Sequence, residues 1–320
     1  MAGQPNVLIT GAGGLVGGKV LEAIAARRDD FGAVVAMDIR ETTNRIGGID
    51  NVIGDICDLQ IVETFRAHKI NVVVHLAAIL APGKDSSADL EYKVDVLGTK
   101  NVVEAALKAG VDQIVSLSSG AAYGYHASNP VPLKETDALR GNDEFPYSRH
   151  KRLVEEMLTE FRRTNPELKQ LILRPGTILG ANVRSPVSAI FEGPFVLGIA
   201  GADSPFVMIL VDDVASVIVR GILERKEGAF NLAGDGSLSL REIASLVSKP
   251  YLPIPGGLLR LALRILKTVK LSVRGPEGVD FLQYRPVLAN DALKQGFGFT
   301  PSMTSAEVFD HYLGSMKNES

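Results

Sequence analysis

A short apolar run, Val7-Leu8-Ile9-Thr10, leads straight into Gly11-Ala12-Gly13-Gly14-Leu15-Val16-Gly17-Gly18, and a helical pattern (Val20, Leu21, Ile24) follows at once. Strand, tight glycine turn and helix in that order open a βαβ unit, and therefore a parallel sheet. The backbone N–H groups of such a turn, with the helix N-terminus behind them, can hold a pyrophosphate. The spacing Gly11-x-x-Gly14-x-x-Gly17, with Gly13 also present, differs from the commoner G-x-G-x-x-G. A second apolar run, residues 33–37, ends in Asp38, 21 positions beyond Gly17. That is where a ribose-binding carboxylate is expected.

Further apolar runs at 72–76, 114–118 and 170–174 alternate with helical stretches such as 88–109 and 148–163. Strands separated by helices imply a doubly wound parallel sheet with right-handed crossovers. The runs are apolar throughout, as expected of strands covered on both faces. Gly110 is placed to cap the helix before it, and Pro166 to close the next. After Arg174-Pro175 the composition shifts toward Gly, Pro and loops. The expected division is a dinucleotide-binding domain over 1–175. A smaller, mixed, mainly substrate-binding part covers 176–320, with some segments returning to the first domain.

Tyr147 and Lys151 stand four apart near the start of the 148–163 helix, so they share a face. An ammonium fixed beside a phenol favours the phenolate, which suits such a Tyr to exchange a proton with a substrate hydroxyl or carbonyl. Ser119 ends a buried strand at the carboxyl edge of the sheet, where open α/β sheets bind ligands. It can hold a substrate oxygen together with Tyr147. His75 lies inside an apolar strand and reads as a packed or backbone-bonded histidine rather than a catalytic one.

Taken together, these residues resemble the extended short-chain dehydrogenase/reductases of the NAD-dependent epimerase/dehydratase-like group. The likeness runs from about Val7 to Val214. The pattern T-G-x-x-G-x-x-G is met by Thr10 to Gly17, the acid at the second strand end by Asp38, and an adenine-side acid by Gly54-Asp55-Ile56. The strand end H-x-A-A is His75-Leu76-Ala77-Ala78, the catalytic Ser is Ser119 ahead of Tyr123-Gly124, and Y-x-x-x-K is Tyr147 and Lys151. Leu173-Arg174-Pro175 and Val211 to Ala215 match the later L-R-P and V-D-D-V-A runs.

The resemblance implies a Rossmann fold and NAD as cofactor. It implies Ser119, Tyr147 and Lys151 as the catalytic triad, with Lys151 also reaching the nicotinamide ribose. The dinucleotide would lie against Gly11, Gly14, Leu15, Val16, Gly17, Asp38, Asp55, Ile56, Leu76, Ala77, Ala78, Tyr147, Lys151 and Pro175. It also implies a homodimer paired through the helices at 88–109 and 148–163. Leu153, Met157, Phe161 and Leu158 of the second helix form a stripe suited either to that pairing or to the core.

Departures from the family pattern narrow the chemistry. Gly120-Ala121 stands where sugar-nucleotide dehydratases carry Asp-Glu, which argues against elimination of water. Asp95 replaces a common Asn and, when ionised, only accepts hydrogen bonds. Gly176-Thr177 follows L-R-P where a diphosphate-binding Asn often stands, and Phe206 to Leu210 offers no Arg ahead of V-D-D.

The expected function is therefore NAD-dependent hydride transfer between nicotinamide and a secondary alcohol or ketone of low polarity. A nucleotide-sugar 4-epimerase using the same triad is the alternative, with a diphosphate held by residues such as Arg184 or Arg274. A non-catalytic NAD(P)-binding regulatory or assembly protein is the alternative of another class.

Bulk properties set the remaining expectations. A net charge of −3 argues against nucleic acid as a partner. One cysteine, Cys57, excludes an internal disulfide and fits a reducing, cytoplasmic setting. No His/Cys cluster has metal-ligand spacing, and no signal peptide or membrane-span pattern is present. Between 258 and 273, leucines and an isoleucine alternate with Arg260, Arg264, Lys267 and Lys270. This basic amphipathic segment reads as a packed or lid helix in preference to one lying on a membrane.

Overall fold

In this computed structural model the described residues are 3–42, 46–80, 86–181, 183, 187–268 and 275–317. The first half alternates strand and helix. Strands β1 (Val7–Thr10), β2 (Val34–Asp38) and β3 (Asp50–Ile53) flank and follow helix α1 (Leu15–Ala25). Helix α2 (Ile61–Ala67) leads to β4 (Val72–His75), and α3 (Ala88–Tyr92) runs through a π-helical turn, Lys93–Gly98, into α4 (Thr99–Ala109). Strand β5 (Gln113–Leu117), α5 (Pro146–Thr164) and β6 (Lys169–Pro175) complete this half.

The second half adds β7 (Thr177–Leu179), α6 (Ala189–Glu192), β8 (Val196–Ile199), β9 (Met208–Leu210) and α7 (Val211–Leu223). Strand β10 (Gly228–Leu232), α8 (Leu240–Leu246), β11 (Tyr251–Ile254), α9 (Gly256–Thr268), α10 (Glu277–Gln283) and α11 (Ser305–Lys317) follow.

Seven strands form one parallel sheet in the order β10-β6-β5-β4-β1-β2-β3. The order reverses beside β1, which pairs with β2 on one side and β4 on the other: Leu8 is opposite both Val35 and Val73. That reversal opens a crevice at the carboxyl edge, the place where ligands bind in such sheets. Both faces are covered, so the inner strands are buried along their length. Val7, Ile9, Val20, Ile24 and Ile218 pack on the face under α1 and α7. Leu8, Phe65, Val102, Leu158 and Ile172 pack under α2, α4 and α5.

The chain after β6 contributes to both parts of the molecule. Helix α7 and strand β10 join the sheet layer, with β10 beside β6. The short pairs β7–β9 and β8–β11 belong instead to a second core of Phe191, Phe206, Met208, Phe309 and Tyr312.

Helix ends follow local chemistry. Gly110 closes α4 in the left-handed region at φ 73°, which its missing Cβ permits. Pro146 opens α5 at its first turn, where a missing N–H costs nothing.

The leucine-rich segment packs on α10 by one side: Arg260 and Lys267 pair with Asp280 and Glu277, and Leu263 lies toward Gly278. None of the residues of α9 is buried, and Leu258, Leu261 and Ile265 are more than half exposed. Lys270, Leu271 and Val273 of that segment lie outside the described residues.

Candidate active site

The glycine turn sits at the end of β1. Gly11 has φ +70°, and a Cβ there would lie 2.7 Å from the Ala77 nitrogen. A Cβ on Gly17 would stand 2.4 Å from the Gly11 oxygen. The two glycines therefore let α1 and the residues after β4 close against the turn. Gly14 caps α1 with no side-chain hydrogen bond, so the first N–H groups of the helix stay open to a ligand. The Gly13 N–H donates to Asp38 Oδ2 at 2.9 Å, which brings the carboxylate at the end of β2 over the turn. Open donors at a helix N-terminus with an acid beside them have the chemistry that a pyrophosphate and a ribose require.

Asp55 and Ile56 follow β3. Asp55 is exposed and accepts from the Cys57 N–H at 2.8 Å, while Ile56 is buried against Gly98. Leu76, Ala77 and Ala78 follow β4, and Pro175 ends β6. Apart from Tyr147 and Lys151 on α5, the expected cofactor residues thus lie at or just beyond the carboxyl ends of β1, β2, β3, β4 and β6.

Ser119 stands two residues past β5 and caps a short 3-10 turn, Gly120–Tyr123, by accepting from the Ala121 N–H at 3.1 Å. Its own hydroxyl proton is not used by that bond. Ser118 points into a buried network, donating to Glu155, whose carboxylate takes both Nε and Nη2 of Arg174. Tyr147 is the second residue of α5, and Lys151 Nζ lies 5.7 Å from its ring centroid. Lys151 Nζ also donates to the Leu117 carbonyl at 2.9 Å, so the ammonium is tied to the end of β5. Ser148 locks this end of α5 by donating to the Ala121 carbonyl at 2.6 Å and accepting from the Asn142 N–H at 3.1 Å.

A fully enclosed polar chain lies beneath. Thr99 Oγ1 donates to the Asp95 carbonyl at 2.6 Å, so His75 Nε2, 2.9 Å from that hydroxyl, must donate to it. His75 Nδ1 is then the acceptor for Thr10 Oγ1 at 2.8 Å. Burial, aided by the Lys151 charge, pulls the imidazole down to about 3, which fits this neutral tautomer. His75 is packed, as its apolar strand implied. Asp95 sits on the π-helical turn, accepts from the Ile79 N–H at 2.8 Å and meets His150 Nδ1 at 3.0 Å. His150 immediately precedes Lys151, so the acid that replaces the usual Asn has a buried partner on α5.

Tyr125, Phe145 and Phe281 form an aromatic wall with ring centroids 5.2 to 5.7 Å apart. Burial pushes the Tyr125 phenol upward, and the Arg285 guanidinium offsets this in part. The Arg285 guanidinium lies between Phe206 and Phe281, 3.8 and 4.5 Å from their ring centroids. Its Nη2 donates to Thr177 Oγ1 at 3.1 Å, while Nη1 is shut off from solvent with no hydrogen-bond partner. Burial draws the guanidinium down to about 10.

Phe206, Met208 and Leu210 fill the second core rather than a pocket wall. Arg184 and Arg274, the expected alternative phosphate ligands, lie outside the described residues. Sequence reasoning missed Arg285, Tyr125, Phe281 and His150. A single Arg in Gln283-Tyr284-Arg285-Pro286 has no spacing signal of its own. Among the described residues no group of three His, Cys, Asp or Glu is placed to hold a metal ion, and no helix is long and apolar enough to cross a membrane.

Comparison with known proteins places these features in context. A family model described as the NAD dependent epimerase/dehydratase family matches residues 7–193. An uncharacterised protein of Mycobacterium bovis is 26% identical over 313 residues, covering 96% of this chain and 83% of its own. A UDP-glucose 4-epimerase of Erwinia amylovora is 33% identical over 189 residues, 55% of this chain and 54% of its own. Among solved structures, the UDP-glucose 4-epimerase of Thermus thermophilus in complex with NAD superposes with a TM-score of 0.75 at 23% identity. That match covers 98% of this chain and 100% of the other, and it establishes the fold.

Proposed function

The chain belongs to the NAD dependent epimerase/dehydratase family, and from that premise we propose that it moves hydride at a secondary carbinol of a substrate bearing an anionic group, as a nucleotide-sugar 4-epimerase does. It is an enzyme of the short-chain dehydrogenase/reductase kind, in a family that works with NAD. The observation that carries the substrate reading is Arg285. A guanidinium whose Nη1 is closed off from water and unpaired is costly unless a ligand oxygen completes it. Its planar fork suits a diphosphate. The Erwinia relative, named a UDP-glucose 4-epimerase, supports the same choice.

Bound NAD supplies a nicotinamide carbon that accepts a hydride. Gly11, Gly14, Leu15, Val16 and Gly17 would hold its pyrophosphate, Asp38 its adenosine ribose, and Asp55 and Ile56 its adenine. Leu76, Ala77, Ala78 and Pro175 would flank the rest. An ionised Asp38 accepts from a 2′-hydroxyl and repels a 2′-phosphate, which favours NAD over NADP.

Tyr147 takes the proton of the substrate hydroxyl, and Ser119, its lone pair occupied by Ala121, donates to the same oxygen. Lys151, held by the Leu117 carbonyl, keeps two donors for the nicotinamide ribose. Residues 1–175 would serve mainly the cofactor and 176–320 mainly the substrate, in a cytoplasmic homodimer. A low-polarity alcohol is the second reading, favoured by the aromatic wall of Tyr125, Phe145 and Phe281.

Calorimetry with UDP-glucose and UDP in the presence of NAD tests the choice. Micromolar binding that Arg285→Ala weakens at least about tenfold is the expected result. No binding of either, with turnover of an uncharged secondary alcohol, would replace this reading with the second.

A further inference from the structure

Helix α9 carries an apolar stripe that nothing among the described residues covers. Leu258, Leu261 and Ile265 are 59%, 54% and 55% exposed. At about 100° per residue these three fall within roughly 60° of one another and form a single face. The helix holds no acidic residue, and Arg260, Arg264 and Lys267 share the opposite side. Arg264 is exposed and borders the stripe.

The orientation is fixed from below. Arg260 Nη2 meets Asp280 Oδ1 at 2.5 Å and Lys267 Nζ meets Glu277 Oε1 at 3.0 Å, both on α10. Leu263 turns toward Gly278 of the same helix. The neighbouring ribbon adds Leu252 in β11 and Phe195 just before β8, both also exposed.

We propose that α9 is an interfacial anchor that lies on an anionic lipid bilayer. The leucine stripe enters the boundary between headgroups and acyl chains, and Arg264 at its border meets lipid phosphates. Charge complementarity selects this occupant: the helix holds no acidic residue, and Arg264, exposed at the border of the stripe, meets no acid among the described residues, whereas Arg260 and Lys267 on the far side are matched by Asp280 and Glu277.

Co-sedimentation of the full chain with vesicles decides the matter, comparing phosphatidylcholine alone with phosphatidylcholine plus phosphatidylglycerol at low and high salt. Binding to the phosphatidylglycerol vesicles is expected, weakened by salt. The triple variant Leu258→Ser, Leu261→Ser, Ile265→Ser should lose at least about tenfold in partitioning while keeping its thermal midpoint. Arg264→Glu should abolish the preference for phosphatidylglycerol. The proposal is overturned if the wild-type chain stays in the supernatant with both vesicles, or if the triple variant binds as well as wild type. It is equally overturned if the triple variant changes the sedimentation coefficient in the absence of lipid, which would show that a second copy covers the stripe.

Discussion

At the residue scale, the distinction between Ser118 and Ser119 shows how the site separates structure from chemistry. Ser118 is spent on Glu155 and through it on Arg174, whereas Ser119 keeps a hydroxyl proton to give. Tyr147→Phe preserves ring volume and removes only the proton-carrying oxygen. Turnover should fall by about 10²–10⁴-fold with NAD affinity, read by calorimetry, close to wild type. Retention of half the activity would remove Tyr147 from the acid–base role. His75 makes a different prediction. Its folded form is held neutral, down to about 3, whereas an unfolded histidine titrates near 6.5. Between those values the unfolded chain binds the extra proton, so stability rises with pH. His75 should therefore cost the fold progressively more as pH drops from about 6.5 toward 3, up to a few kcal/mol. Thermal melts of wild type and His75→Gln should converge on acidification; parallel melts at every pH would show that His75 is not the titrating group. Tyr147, Lys151 and Ser119 were legible in the sequence because each sits in a local spacing with a chemical reason. Arg285 was not, since its meaning arises only when Phe206 and Phe281, far apart in the chain, close around it.

At the scale of elements, the glycine turn is the joint between β1, α1 and the end of β4. Gly11→Ala forces an L side chain into the left-handed region and drives its Cβ to 2.7 Å from the Ala77 nitrogen. Destabilisation of about 1–3 kcal/mol is expected, together with loss of the rise in melting temperature that NAD gives the wild-type chain. A variant that NAD still stabilises fully would mean that the turn tolerates a Cβ and that the cofactor lies elsewhere. Strands β1, β2, β4, β5 and β6 were readable to within about a residue at most ends, because burial on both faces leaves unbroken apolar runs. Strand β3 was not, for it is an edge strand whose Asp50 and Asn51 are exposed. The run from α3 to α4 read as one helix, and its π-helical turn has no sequence mark apart from Asp95, the residue it turns toward His150. Helix α9 was legible as an amphipathic helix, but periodicity reports that one face is apolar without saying what covers it.

At the scale of the whole molecule, the expected homodimer rests on the surface formed by α3, the π-helical turn and α5. Leu158 and Val154 of α5 are committed to the core, and Leu153 and Phe161 pack at its edge, so little of the expected stripe on that helix is left to meet a partner. The adjoining surface supplies what the stripe does not. Leu90 is 43% exposed in α3, and Leu97 is 48% exposed on the π-helical turn. These leucines belong to α3 and the π-helical turn, elements separate from α9, so loss of one surface should leave the other intact. Sedimentation equilibrium at micromolar protein should give twice the monomer mass. Leu97→Asp places a charge at that surface, where burial without a partner is costly, and should shift the equilibrium to monomer by at least about tenfold in Kd, equivalent to ~1.4 kcal/mol. NAD binding should persist in this variant, because the glycine turn and Asp38 belong to β1, α1 and β2 rather than to the π-helical turn that carries Leu97. A wild-type chain that sediments only as monomer would refute the pairing. A Leu97→Asp chain that remains dimeric would move the interface to another face of the molecule.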